Sequence, residues 1–143
     1  ELDLSAFILS GGNDLLENKE RDDNENWLLD FAEKGNLPVL GICRGMQVLG
    51  TRSGGVLEPI NDHSNKVHEV TGRISGVVNS FHKFAFKKMP NDYNLLASAN
   101  DGCIEAIEHK SLPWEGWMWH PERFKTFRRY DIERLNSVFN GQA

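Results

Sequence analysis

Apolar and polar positions along this chain fall into short blocks that switch between a two-residue and a 3.6-residue period. Leu4 to Leu9 is an apolar run closed by Ser10-Gly11-Gly12, the pattern of a buried strand. Glu17 to Asn26 is polar and dense in charge, which predicts an exposed loop leading into a helix. Trp27, Leu28 and Phe31 then fall at helical spacing, and Gly35 supplies a stop. Pro38 to Ile42 predicts a second strand, and Met46, Val48 and Leu49 lie on a helix ending near Ser53-Gly54-Gly55. From Val56 to Val78 short strand-like pieces alternate with turn residues. Asn94 to Ser98 and Ile104 to Glu108 read as strands joined by the turn Asn100-Asp101-Gly102. Trp114 to Trp119 predicts a further strand running into His120. Asp131 is placed to cap a final helix with Ile132, Leu135, Val138 and Phe139 as its apolar face. Interleaved strands and helices predict an α/β fold, a mostly parallel sheet flanked by helices. No repeat, low-complexity tract or linker divides the 143 residues, so they predict a single domain.

The chemistry is concentrated where the second strand meets its helix. In Pro38-Val39-Leu40-Gly41-Ile42-Cys43-Arg44-Gly45-Met46-Gln47 one nucleophile sits between two glycines, the cysteine form of a nucleophile elbow. Glycines flank such a residue because strand and helix pass too close to accept a Cβ. The turn lifts the sulfur to the carboxyl end of the sheet, where α/β sheets place their sites. A helix N-terminus and a nearby imidazole are expected to lower the thiol pKa. Trp119-His120-Pro121-Glu122 supplies the partners: His120 as base, and Glu122 two residues on, on the same side of an extended segment that Pro121 keeps out of helix. These groups point to acyl transfer through a thioester. The backbone N–H of Arg44 and the Gly11-Gly12 turn are the expected oxyanion donors.

Composition narrows the setting. Charged residues make up 26% and hydrophobic residues 39%, ordinary for a globular chain. A net charge of −5 argues against nucleic-acid binding, and no apolar run spans a membrane. The chain starts at Glu1-Leu2-Asp3 without an initiator Met, so a preceding targeting segment stays open. Two cysteines, Cys43 and Cys103, make no disulfide framework and suit a reducing, cytoplasmic setting; Cys103 reads as core. His63, His68 and His109 lack metal-ligand spacing with the cysteines, so no metal and no organic cofactor is expected.

Taken together, Ser10-Gly11-Gly12-Asn13-Asp14, Gly41 to Gln47, Val78-Asn79-Ser80-Phe81-His82, Asp101 to Glu108 and Trp119 to Arg123 resemble the class I glutamine amidotransferase superfamily, in family order. The likeness is greatest to its free-standing γ-glutamyl hydrolase-like branch. The resemblance implies a Cys43/His120/Glu122 triad, an oxyanion hole from Gly12 and Arg44, and γ-glutamyl recognition by Gly11, Gln47 and the loop Asn79, Ser80, Phe81, His82. Arg44 after the nucleophile resembles the hydrolase branch, and Gly11-Gly12-Asn13-Asp14, Val78 to His82, Ile107-Glu108-His109-Lys110 and the tail His120 to Phe124 with Phe127 and Arg128 are similar to hydrolases that free glutamate from a γ-glutamyl-phosphoramidate nucleotide in capsule synthesis. The family fold normally opens with a further strand, helix and strand that precede the first strand of these 143 residues, so the expectation is a catalytic domain incomplete at its N-terminus, either from a shortened product or as part of a longer protein, and the stretch between His68 and Val78 is short.

Several readings stay open from the residues. His82 lines the pocket or satisfies a loop carbonyl. The Gly11-Gly12 pair is an oxyanion loop or only a tight turn. Trp114, Trp117 and Trp119 are expected to pack on the sheet. Arg123, Arg128 and Arg129, with Lys125, form a solvated basic surface or a diphosphate clamp. The substrate is a small γ-glutamyl molecule: a phosphoramidate nucleotide, a γ-glutamyl amine, or glutamine hydrolysed for a synthase partner. A non-catalytic binding or regulatory domain is the alternative from another class.

Overall fold

A computed structural model describes residues 3–141, so Glu1 and Leu2 lie outside the described residues. In chain order the strands and helices are β1 (Phe7–Leu9), α1 (Lys19–Lys34), β2 (Val39–Ile42), α2 (Arg44–Arg52), β3 (Leu57–Pro59), β4 (Ser64–Gly72), β5 (Gly76–Phe81), β6 (Phe84–Phe86), β7 (Tyr93–Ala99), β8 (Ile104–His109), β9 (Trp114–Trp117) and α3 (Arg129–Asn140). Seven strands form one sheet in the order β1-β2-β9-β8-β7-β4-β5, and β3 pairs with β6 apart from it.

The α/β class stands, and the sheet is mixed. Parallel pairing is confined to β1 with β2 and β2 with β9. The other pairings of the large sheet are antiparallel. The connections explain this: β7, β8 and β9 follow one another through short turns, and only a long crossover can make neighbours parallel. The β7–β8 turn is the expected Asn100-Asp101-Gly102, with Gly102 at φ +84°.

Side-chain direction along β9 shows that both faces of the sheet are covered. A Cβ on Gly116 would meet Met46 of α2, whereas Glu115, pointing the other way, accepts from Arg134 of α3 at 2.8 Å. All four residues of β2 are therefore buried. β1 is the edge strand, shorter than the Leu4 to Leu9 run, and Ile8 is 55% exposed on it.

Several boundaries differ from the sequence reading. The polar stretch from Lys19 is already helix, because the Asn18 side chain accepts from the Arg21 N–H at 3.0 Å and caps it. The buried face of α1 is Glu25, Leu29 and Ala32; Trp27 is 64% exposed and stacks on Phe31, whose other neighbour is Phe7. Asp131 lies inside α3 rather than capping it; its carboxylate accepts two hydrogen bonds from Arg128, the residue at the cap position. Trp114, Trp117 and Trp119 are buried as expected, with the last two stacked at 5.3 Å.

Helix α1 is tied to the start of α2 by charge. The Arg44 guanidinium is 1% exposed and hydrogen-bonds Asp22 and Glu25 of α1. Removing one partner of a buried pair typically costs about 3–5 kcal/mol, because the charges left behind stay desolvated. Arg44→Met is expected to destabilise the chain by about 3 kcal/mol. The loss sits at the low end because Arg21 still holds Glu25 at 3.0 Å. The measurement is a urea midpoint with the slope unchanged, and a shift within about 0.5 kcal/mol of zero, the range of ordinary surface changes, would contradict the tether.

Candidate active site

Cys43 stands at the carboxyl end of β2 with φ +51° and ψ −104°, a conformation that stores strain in a residue bearing a Cβ. The backbone reaches it because both flanking glycines are needed. A Cβ on Gly41 would lie 2.5 Å from the Gly45 carbonyl carbon, and one on Gly45 would lie 2.2 Å from the Leu9 oxygen. The Cys43 N–H donates to the Trp117 carbonyl at 2.7 Å, so the elbow is pinned to β9, whose extension carries His120.

The thiol is 7% exposed, and burial pushes its pKa up to about 11. The Arg44 backbone N–H and the charge of Arg123 act in the opposite direction, and Glu105 and Glu122 reinforce the rise. This corrects the expectation of a lowered pKa: desolvation outweighs the donors at the helix start.

The His120 imidazole faces its carboxylate as the sequence predicts, with Nδ1 2.6 Å from Glu122 Oε1. The route differs. His120 is extended, but Pro121–Arg123 forms a 3-10 turn, so Glu122 returns to the ring through the turn rather than along a strand. Proline suits that first position because its fixed φ already matches. Asn79 of β5 clamps the His120 backbone from both sides: its Nδ2 donates to the His120 carbonyl, and the His120 N–H donates to its Oδ1, each at 2.8 Å. Phe81 meets the imidazole edge to face at 5.7 Å, and the Arg123 guanidinium lies over the Phe81 ring, 4.5 Å from its centroid.

Gly11 closes against the same imidazole, since a Cβ there would lie 2.5 Å from His120 Cε1. The Gly11-Gly12 turn is held by Arg21, which donates to the carbonyls of Ser10 and Gly11, both at 3.0 Å. Next to this turn a cavity of about 470 Å³ is lined by Asp14, Leu15, Gln47, Thr51 and Phe84. Gln47 contributes from α2, its Nε2 donating to the Phe84 carbonyl at 3.3 Å. A second cavity, of about 210 Å³, is lined by His109, Trp114 and Arg134 at the start of β9, the opposite end of the parallel strands from Cys43.

Other expected site residues are used internally. The Asn79 amide is taken by the His120 backbone, and the Ser80 hydroxyl donates to the His63 carbonyl at 2.6 Å. His82 is buried with Nδ1 3.0 Å from the Phe84 carbonyl, the loop-carbonyl reading. The side chains of this segment thus build the support behind His120 instead of facing the Gln47 cavity. Arg128 is engaged by Asp131 and the Val77 carbonyl, whereas Arg129 pairs with Glu133 at 2.7 Å in an exposed contact one helical turn away and stays at the surface. Arg123 has no carboxylate partner among the described residues.

The structure also assembles a group that the spacing of the histidines does not announce. His63, His68, His82 and Glu105 bring one potential ligand atom each to within 4.8 Å of one another. The signal for it was Glu105 itself, a carboxylate inside the apolar run of β8 and 0% exposed. Cys103 is buried, as expected, and its thiol points to Asp101 Oδ2 at 3.3 Å.

With this geometry in hand, the likeness to known proteins is informative. The family model for glutamine amidotransferase class-I matches residues 1–136. γ-Glutamyl-CDP-amidate hydrolase of Campylobacter jejuni is 36% identical over 84% of this chain and 63% of its own length. One component of the glutamine-hydrolyzing GMP synthase of Methanocaldococcus jannaschii is 28% identical over 84% of this chain and 65% of its own. The chain therefore spans somewhat under two thirds of the length of these relatives. Among solved structures, a glutamine amidotransferase from Thermotoga maritima superposes with a TM-score of 0.71 at 17% identity, covering 99% of this chain and 67% of that one. The elbow, the extent of the match and the shared fold agree, and the chain belongs to the class I glutamine amidotransferase family.

Proposed function

We propose that this chain hydrolyses a γ-glutamyl amide bond through a thioester on Cys43 and releases glutamate. The observation that carries the reading is a strained elbow cysteine pinned through its N–H to the Trp117 carbonyl at 2.7 Å, three residues before an imidazole whose Nδ1 is held by Glu122 at 2.6 Å. That contact orients His120 and leaves Nε2 as the nitrogen that exchanges protons. In the first step Sγ attacks the γ-carbonyl and its proton passes to His120. The backbone N–H groups of Gly12 and Arg44 receive the oxyanion. His120 then protonates the leaving nitrogen as the C–N bond breaks. Water, deprotonated by His120, attacks the thioester, the C–S bond breaks, and the thiol is restored. No metal or organic cofactor enters these steps.

The raised thiol pKa fits a nucleophile that loses its proton only as attack begins. Gln47 and the adjoining cavity receive the glutamyl part. For the leaving group we favour a phosphoramidate nucleotide, which would place the chain in surface-polysaccharide modification. The likeness to the Campylobacter hydrolase supports this choice, as does the Arg123 guanidinium, which lies over Phe81 with no carboxylate partner among the described residues. The likeness to the GMP synthase component favours a second reading, glutamine hydrolysis that feeds a synthase partner. A free nucleophilic thiol suits a reducing, cytoplasmic compartment.

The test is intact-mass spectrometry after a γ-glutamyl chloroketone, followed by rates on γ-glutamyl-CDP-amidate, γ-glutamyl amines and glutamine. One adduct is expected on the wild type and none on Cys43→Ala. Turnover in that variant should fall by at least about 10⁴-fold, the scale on which a lost triad member acts. Glu122→Gln is expected to lose about 10²-fold, the low end for acid–base partners, because this carboxylate is half-exposed. An adduct that persists in Cys43→Ala would remove the proposed nucleophile.

The buried thiol makes a pH prediction of its own. With a Cys43 pKa near 11, the thiolate fraction is small at neutral pH and grows about tenfold per pH unit. In a Cys103→Ala background, iodoacetamide alkylation of Cys43 should climb through pH 7, 8, 9 and 10 without levelling, these values being about one to four units below that pKa. A plateau by about pH 8 would mark a resting thiolate and contradict the desolvated ground state.

A further inference from the structure

Behind the His120 support lies a buried group that the proposed chemistry does not use. His63 precedes β4, His68 lies on it, His82 follows β5 and Glu105 sits in β8. Glu105 Oε1 is 3.3 Å from His63 Nδ1, 3.6 Å from His68 Nε2 and 3.5 Å from His82 Nε2. These separations exceed the ordinary length of a hydrogen bond, about 2.7–3.2 Å. Accordingly His68 Nε2, His82 Nε2 and both Glu105 oxygens are buried without a hydrogen-bond partner. Unpaired polar atoms in such number are costly inside a fold.

The outer nitrogens explain what the inner ones offer. His63 Nε2 lies 2.7 Å from Asp101 Oδ2, His82 Nδ1 lies 3.0 Å from the Phe84 carbonyl, and His68 Nδ1 lies 3.3 Å from the Glu69 carbonyl. Carbonyl and carboxylate oxygens only accept here, so the outer nitrogens of His63 and His82 carry the proton, while His68 has only a long contact to its neighbour's carbonyl. In the neutral imidazole the inner nitrogens of His63 and His82 then present lone pairs. The two fixed lone pairs, His68 Nε2 and the Glu105 carboxylate thus lie within 4.8 Å of one another, an arrangement that a cation among them would satisfy. Metal-ligating histidines carry this second bond to a carbonyl or carboxylate as a rule.

We propose that His63 Nδ1, His68 Nε2, His82 Nε2 and Glu105 Oε1 bind one divalent transition metal ion of the zinc type. The spacing suits it. Zinc–nitrogen and zinc–oxygen bonds of about 2.0–2.2 Å in a tetrahedron put neighbouring ligand atoms about 3.3–3.6 Å apart. Imidazole nitrogen selects such an ion over magnesium or calcium. Four protein ligands close the coordination sphere, which makes the site structural. The ion would fasten the β4–β5 hairpin to β8 and steady Asn79, which holds the His120 backbone. Metal uptake is read without substrate, so its outcome is separate from that of the Cys43 chemistry.

The test is titration of the chelator-treated 143-residue chain with Zn²⁺ against a chromophoric chelator, and with Co²⁺ followed by its visible spectrum. One equivalent of Zn²⁺, tetrahedral Co²⁺ bands without thiolate charge transfer, and uptake retained in Cys43→Ala and Cys103→Ala are expected. His68→Gln changes the most exposed of the three histidine ligands, so it is the variant least disturbing to folding. It should weaken Zn²⁺ by at least about 100-fold, beyond the roughly 10–100-fold typical of a lost outer partner. A folded wild type that takes up neither ion overturns the proposal. Thiolate bands, or loss of uptake in Cys103→Ala, would overturn it too, because they would move the ion to His63, Asp101 and Cys103. The wild-type cobalt spectrum decides the question even where a variant fails to fold.

Discussion

The close passage of β2, the elbow and α2 is the constraint on which the rest of the molecule depends. Gly41 packs against the backbone of Gly45, and Gly45 against the Leu9 carbonyl of β1, at distances that leave no room for a Cβ. That contact presses the helix onto the sheet and leaves Cys43 at a positive φ that the chain would not otherwise favour. It also brings the Arg44 N–H beside the sulfur and sets the Arg44 side chain under α1, where Asp22 and Glu25 neutralise it. One steric fact thus links the strain at Cys43 to the attachment of a helix distant in sequence.

The imidazole is held by a different principle, over-determination from several elements. Glu122 fixes one ring nitrogen, Asn79 fixes the backbone, Phe81 covers an edge and Gly11 closes against Cε1. These contacts come from β5, from the first glycine turn and from the 3-10 turn after β9. A ring so held needs little reorganisation when a proton moves, which is the condition under which a positioned base is effective. The Asn79 to His82 segment therefore serves the site through rigidity.

Charge burial recurs through the fold and has two solutions. Around Arg44 the opposite charges lie close and pair directly. Around Glu105 they do not: the carboxylate and three imidazoles stand apart at ligand spacing, with their outer nitrogens tied to oxygen atoms.

Much of this was legible along the chain. Gly41-Ile42-Cys43-Arg44-Gly45 announces a tight strand-to-helix turn because only glycine tolerates such an approach, and the His120-Pro121-Glu122 triplet announces a base with a carboxylate because the two are local. The β7–β8 turn and the end of α2 follow from equally local chemistry. Other features depend on atoms far apart in sequence. That β8 runs antiparallel between β7 and β9, that Trp27 rather than Leu29 faces outward, and that Arg128 is occupied by Asp131 are decided by packing. The Cys43 pKa turned on burial, which a motif does not report, and so it rose where the local donors alone predict a fall. The sequence by itself determined which groups are available and the turns that display them. Only the tertiary structure decided which of those groups are desolvated and which already have partners, because hydration and pairing depend on neighbours that long-range folding brings together.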